Sequence, residues 1–107
     1  MPKDRYVFPA IFDYGDDGIS IEFPNLPGCL PCALSTDEAI KNAKEAMALH
    51  LWGMERDKDV IPEPTSIDKL HIAPNQIPML IEVYMPEYRE AIENSSVKKT
   101  FHPFVVK

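Results

Sequence analysis

Long apolar runs are missing from this sequence. No segment approaches the roughly 20 consecutive apolar residues that a membrane helix needs. No leader is expected either: Met1-Pro2-Lys3-Asp4-Arg5 supplies basic residues, but the stretch from Tyr6 to Phe12 that follows is interrupted by Pro9. The expectation is a soluble, cytoplasmic protein without membrane contact. Cysteine is scarce, and Cys29 and Cys32 alone cannot build a disulfide framework. Basic residues are outnumbered, 11 Lys and Arg against 17 Asp and Glu, which leaves a net charge of −6. A phosphate backbone calls for the opposite field, so nucleic acid is not expected as the main partner. A basic protein partner fits, because complementary charge speeds encounter. Acidity of this degree also serves plain solubility, so the charge excludes more than it identifies.

What is present suits a single fold. A chain of 107 residues reads as one domain with at most a terminal extension. Its 45% hydrophobic content is enough for one modest core, which places disorder outside the default reading.

Proline and glycine punctuate the chain into short elements. Tyr6 to Phe12 is rich in aromatic and β-branched residues and predicts a strand, with Pro9 pointing to an edge position or a bulge. Asp13-Tyr14-Gly15-Asp16-Asp17-Gly18 is a turn cluster in which both glycines can take positive φ. Ile19, Ile21 and Phe23 alternate with Ser20 and Glu22, the pattern of a half-buried strand that closes a hairpin with the first. Pro24 to Gly28 makes a rigid corner before a third strand over about Cys29 to Leu34. Ser35-Thr36-Asp37-Glu38 is a capping box, and Asp37 also stands four residues before Lys41, a favourable pairing on one helix face. Behind it Ile40, Ala43, Met47, Leu51 and Met54 form an apolar stripe bordered by Ala39, Ala46 and His50. Arg56 to Asp68 is a long, charged and then proline-rich connection. A short strand over Lys69 to Ala73 and a better one over Ile77 to Met85 follow, and Pro86 to Ala91 reads as a short helix. The result is an α+β fold in the order β-β-β-α-β-α: a three-stranded antiparallel meander, a long helix on one face, and a strand returning to the same sheet. Residues 1–94 form the domain and residues 95–107 a tail.

The chemistry-bearing residues do not assemble into a catalytic set. A two-metal nuclease needs carboxylates holding ions about 4 Å apart. Asp13, Asp16 and Asp17 sit on a hairpin turn, where acids are commonly solvated turn formers, and no later acid completes a cluster with Glu22. Cys29-Leu30-Pro31-Cys32 has C-x-x-C spacing, but the helix starts too late to lower the pKa of Cys29, and no second pair exists for zinc. His50, His71 and His102 are not spaced as a ligand set. No catalysis, metal or cofactor is expected. Trp52 lies off the apolar stripe; either the Arg56–Asp68 connection folds back over it, or it serves a protein contact.

Three strings in order, Phe23-Pro24-Asn25-Leu26-Pro27-Gly28-Cys29, Glu38-Ala39-Ile40-Lys41-Asn42-Ala43-Lys44-Glu45-Ala46 and Ile61-Pro62-Glu63-Pro64-Thr65, resemble the HicB antitoxin family, as do Tyr6, Pro9 to Phe12, Asp17-Gly18 and Tyr88-Arg89. The resemblance implies a partly degraded RNase H-like fold, a HicA-type RNA-cleaving toxin as small basic partner, dimers or tetramers, and autoregulation of an operon. The sequence departs from the family pattern twice. Cys32-Ala33-Leu34-Ser35-Thr36 lacks the glycine common before the helix, and the DNA-binding module usual beyond Val97-Lys98-Lys99-Thr100 is short or absent, so DNA binding is in doubt for this chain. With the net charge, the resemblance makes Asp13, Asp16, Asp17 and Glu22, or one face of the sheet, the expected toxin-covering surface, with Trp52 as a further contact. An exposed edge such as Tyr6–Phe12 is the expected site of self-association. The alternative is an orphan regulatory or RNA-associated binding module without a toxin.

Overall fold

The alternation in the first third of the chain becomes a hairpin. In the computed structural model, which describes residues 3–94, β1 (Arg5–Gly15) pairs antiparallel with β2 (Gly18–Glu22) across an Asp16-Asp17 turn. Among the described residues only Lys58 has positive φ without being glycine, so neither aspartate takes the left-handed conformation. Gly18 does so instead, at φ 140°, and a Cβ there would stand 3.0 Å from the Ala33 carbonyl oxygen. Gly15 does not use the same freedom, since its φ is not positive. At the corner, Leu26 N–H donates to Phe23 O and Cys29 N–H to Leu26 O. In the second of these turns Pro27 holds the position that favours proline, and Gly28, at φ 91°, the one that requires positive φ.

β3 is only Cys32–Ala33, shorter than the Cys29–Leu34 strand expected. The Pro27-Gly28 turn uses Cys29, and the Leu34 N–H leaves the ladder for the Glu38 carboxylate (2.9 Å). That bond completes the cap of α1 (Thr36–Asp57): Ser35 Oγ accepts from Glu38 N–H at 3.2 Å, while Glu38 reaches one residue further back than in the usual capping box. Lys41 pairs with Glu45 at 3.7 Å. The buried face of α1 is Ala39, Ala43, Ala46, Met47, Ala48 and Leu51, with Ile40 and Met54 at its margins. The stripe is therefore rotated toward the alanines, whose small side chains let the helix lie close to the sheet. At its end Lys58 takes φ 62°, and the Lys58 and Asp59 N–H groups close on Glu55 O and Met54 O in a Schellman pattern.

The Lys69–Ala73 strand does not form. Instead a 3-10 turn spans Ile67–Lys69, with Lys69 N–H on Ser66 O, and Gln76 N–H turns back to Ala73 O. β4 (Gln76–Tyr84) then pairs antiparallel with β1, and α2 (Met85–Asn94) begins at the next residue. The strand order is β3-β2-β1-β4. β1 has a strand on both sides only over Ile11–Asp13; from Arg5 to Ala10 it pairs with β4 alone, so Pro9 does stand at a local edge, and the expectation of an exposed edge is corrected only for Ile11 and Phe12. The physical reason lies in the register. The Tyr14 N–H bonds to Asn75 O on the β4 side, so alternation turns the backbone nitrogens of Pro9, Ile11 and Asp13 toward β2. β2 ends opposite Ile11, so the N–H that Pro9 lacks is never asked for.

The core lies between the sheet and the helices. Tyr6, Phe8, Ala10 and Phe12 of β1 share it with Ile19 and Ile21 of β2, Ile81 and Val83 of β4, and Met47 and Leu51 of α1. Phe8, Phe12 and Phe23 are at most 1% exposed, and truncating such a residue to alanine costs about 3–5 kcal/mol. No helix among the described residues is long and apolar enough to cross a membrane. The tail over residues 95–107, with Lys98-Lys99 and His102, lies outside the described residues.

Candidate partner-binding surface

The hairpin brings most of the expected acidic residues to one end of the sheet. Asp13 pairs with Ser20 across the ladder and Ile11 with Glu22, so Asp13, Ser20 and Glu22 all point to the face away from α1. There they line a shallow cavity of about 320 Å³ together with Pro31 and Gln76. Asp16 and Asp17 are exposed at the turn just beyond it. None of these four acids is in an ion pair among the described residues. Asp13 differs from the rest: it is half-buried and accepts from Asn75 Nδ2 and Gln76 Nε2, both at 2.8 Å. Part of its role is to hold the start of β4. Among the described residues no three His, Cys, Asp or Glu side chains gather closely enough to hold a metal ion.

Trp52 is not part of this surface. It lies on α1, half-buried against the core; its indole N–H donates to Glu93 of α2 at 3.1 Å, and the Arg56 guanidinium stacks 4.7 Å from its ring centroid. Its cover comes from α2 and from Arg56, where the Arg56–Asp68 connection was expected to begin, and the ring stays partly exposed. That connection runs elsewhere, its Thr65 clamped between two hydrogen bonds with the Asn25 side chain. The C-x-x-C cysteines are both free: Cys29 is buried, with burial pushing its thiol up to about 12, the reverse of an activated thiol. Cys32 is exposed on β3, where its carbonyl accepts from the Asn42 side chain (2.9 Å).

The cluster that sequence reasoning missed is centred on Arg89. Its guanidinium binds both oxygens of Glu55 (2.9 and 3.1 Å), Asp4 at 3.2 Å and the Lys3 carbonyl, while Tyr6 donates to the same Glu55 at 3.1 Å. One side chain thus ties the start of the chain, β1, α1 and α2 together. Glu55 foremost raises the Arg89 pKa, and desolvation foremost raises that of Tyr6. The available signal was the Tyr88-Arg89 pair within the family resemblance.

Residues 8–100 match the model of a family described as the HicB-like antitoxin of bacterial toxin–antitoxin systems. The chain belongs to that family. Among solved structures, this HicB-like chain is similar to the N-terminal domain of the Burkholderia pseudomallei antitoxin HicB, at 25% identity and a TM-score of 0.63 over 73% of this chain and 98% of that one. It shares its fold with a chain of a toxin–antitoxin complex from Streptococcus pneumoniae, at 17% identity and a TM-score of 0.72 over 78% of this chain and 72% of that one. It does so again with a chain of a HicA3 and HicB3 toxin–antitoxin complex, at 21% identity and a TM-score of 0.59 over 70% and 94%. The HicB-like chain is also 28% identical over 86 residues to an uncharacterized 14.9 kDa protein in the rep-hol intergenic region of Haemophilus phage HP1, covering 80% of this chain and 56% of that protein. It therefore spans about half the length of that relative.

Proposed function

We propose that this HicB-like chain neutralises a small basic HicA-type toxin in the cytoplasm by covering the surface with which the toxin binds and cleaves RNA. The observation that carries the reading is the set of acids at the hairpin end, Asp13, Asp16, Asp17 and Glu22, which have no cationic partner within the described residues of a chain of net charge −6. Such a surface attracts a basic partner over a distance and competes with phosphate for the same cations. Inhibition is by occlusion and needs no chemistry from the antitoxin. On this reading the sheet is a reduced RNase H-like one that no longer carries a metal-binding carboxylate set.

The test is co-expression with the protein encoded beside this one, followed by an RNA-cleavage assay with and without the chain. A stable complex that suppresses cleavage is expected. Replacing Asp16, Asp17 and Glu22 by Asn, Asn and Gln is expected to slow association and flatten its salt dependence. Asp13 stays in place because it also holds Asn75 and Gln76. Unchanged affinity and salt slope would move the toxin-binding surface elsewhere, and the absence of any complex would favour an orphan binding module.

A further inference from the structure

Along one flank of α1 the helical spacing sets Leu49, His50, Gly53, Met54 and Asp57 in a row. α2 lies against the other flank, where Trp52 donates to Glu93 and Arg89 grips Glu55. Facing the row stands the Pro27–Leu30 corner, and between the two runs a groove of about 480 Å³. Its walls are mostly apolar, from Pro27, Leu30, Ala46, Leu49 and Met54. Gly28 and Gly53 leave it open, since a Cβ on either would meet nothing within 4 Å. For Gly28 the turn is reason enough, with φ at 91°. Gly53 has no such reason: its φ is not positive, and a glycine inside a helix weakens it relative to alanine. Two features describe what the space beside it fits. First, Asp57 and Asp59 line the groove and no Lys or Arg does. Asp57 meets only Arg56, at 3.7 Å with both side chains more than half exposed, and Asp59 is in no ion pair among the described residues. Burial holds the His50 pKa below the ordinary imidazole value, so the ring adds no positive charge at neutral pH. Second, Leu30, 63% exposed, is a wall of this groove and also of the shallow cavity of Asp13, Ser20 and Glu22. The two form one strip, acidic on the sheet and apolar along the helix.

We propose that a segment of the same basic toxin, carrying apolar side chains and a Lys or Arg, passes over Leu30 and lies in this groove. Its apolar groups rest against Leu49 and Met54, and its cation meets Asp57 and Asp59. The proposal rests on the neutralisation reading and adds to it the contact that holds the complex once the hairpin acids have drawn it together. Charge at the hairpin speeds encounter, whereas apolar contact in a groove slows departure. Gly53 lets the backbone of the segment approach the helix closely, a common use of glycine beside a ligand.

The experiment measures association and dissociation rates of the chain with the protein encoded beside it, together with thermal unfolding of the free chain. Gly53→Leu fills the groove with a better helix former. The free chain is expected to melt roughly 3 °C higher, while the complex dissociates at least tenfold faster. Gly53→Ala is expected to move both readings the same way, with the smaller effect on binding. Leu30→Ser, at an exposed position, is expected to raise the dissociation rate about tenfold at unchanged Tm. In all three the salt dependence of the association rate stays that of wild type, which separates the groove from the hairpin acids. A purely structural glycine cannot yield a more stable chain that binds less well. A complex that suppresses cleavage and keeps its dissociation rate within twofold in Gly53→Leu overturns the groove assignment and leaves neutralisation standing. No complex with wild type overturns both. A molar mass of the free chain that falls on Gly53→Leu, read by light scattering, would assign the groove to a second copy and overturn the proposal as well.

Discussion

Replacing Arg89 by alanine tests whether one side chain holds the helical layer to the sheet. The Arg89 side chain is 21% exposed and that of Glu55 only 9%, so their pairing is largely shielded from solvent, whereas Asp4 is 65% exposed and adds little. Removing one member of a buried pair ordinarily costs 3–5 kcal/mol, because the other charge is left without a partner. The low end applies here, since water reaches part of the guanidinium: about 3 kcal/mol, or on the order of 15 °C in Tm for a domain of this size. The loss should be mostly relieved when Glu55 is also removed, so that Glu55→Leu with Arg89→Met is more stable than Arg89→Ala alone. Arg89→Lys keeps the charge but not the two-pronged grip on Glu55 and should fall between wild type and alanine. Urea unfolding followed by Trp52 fluorescence reads the result directly, since Trp52 sits at the α1–α2 contact. A loss below about 1 kcal/mol for Arg89→Ala, or a double variant worse than the sum of the singles, would refute the assignment.

Two further outcomes follow from the ends and flank of α1. Lys58 stands in the left-handed conformation at φ 62°, which costs a side-chain-bearing residue about 1–2 kcal/mol, while glycine gives back about 0.5–1 kcal/mol through its freer unfolded chain. Lys58→Gly should therefore stabilise by roughly 0.5 kcal/mol in chemical unfolding, and a loss of stability would show that the lysine side chain contributes more than its backbone costs. Burial lowers the His50 pKa below the ordinary imidazole value. A lowered folded-state value means that the unfolded chain binds the proton more readily. Stability is thus fully present above about pH 6.5 and is lost as pH falls through the folded value. Unfolding midpoints across that range should decline for wild type and flatten for His50→Gln; equal slopes would reassign the decline to other groups.

Features carried by neighbours along the chain were legible. The Ser35–Glu38 cap, the alternation of Ile19 and Ile21, and the Pro27-Gly28 turn each depend on residues within a few positions, and each appears in the structure. What failed depended on contacts across the chain. The Cys29–Leu34 strand shrank because Glu38 draws off the Leu34 N–H, and the role of Arg89 required Glu55, 34 residues away, to be its neighbour. The placement of Trp52 against α2 required a helix that begins more than thirty residues later to fold back beside α1. Of the candidate surface, the acids on the hairpin were legible because a turn of known length fixes their direction. The pairing of β4 was not, since nothing local says that it settles beside β1 and leaves only the β2-facing side of residues 6–10 without a strand.

The early end of β2 leaves a seam along the first half of β1, and the chain has stopped it twice. Pro9 removes a donor from that side, and Ile61, Pro62 and Pro64 face Val7 and Phe8 across a cavity, anchored by the Asn25–Thr65 bonds. Prolines offer few backbone donors to a neighbour, so this stretch covers the opening without zipping to it. The connection is in this sense a lid for a half-finished sheet: loosening it, for instance with Asn25→Ala, would uncover that seam, and solubility would suffer before stability did.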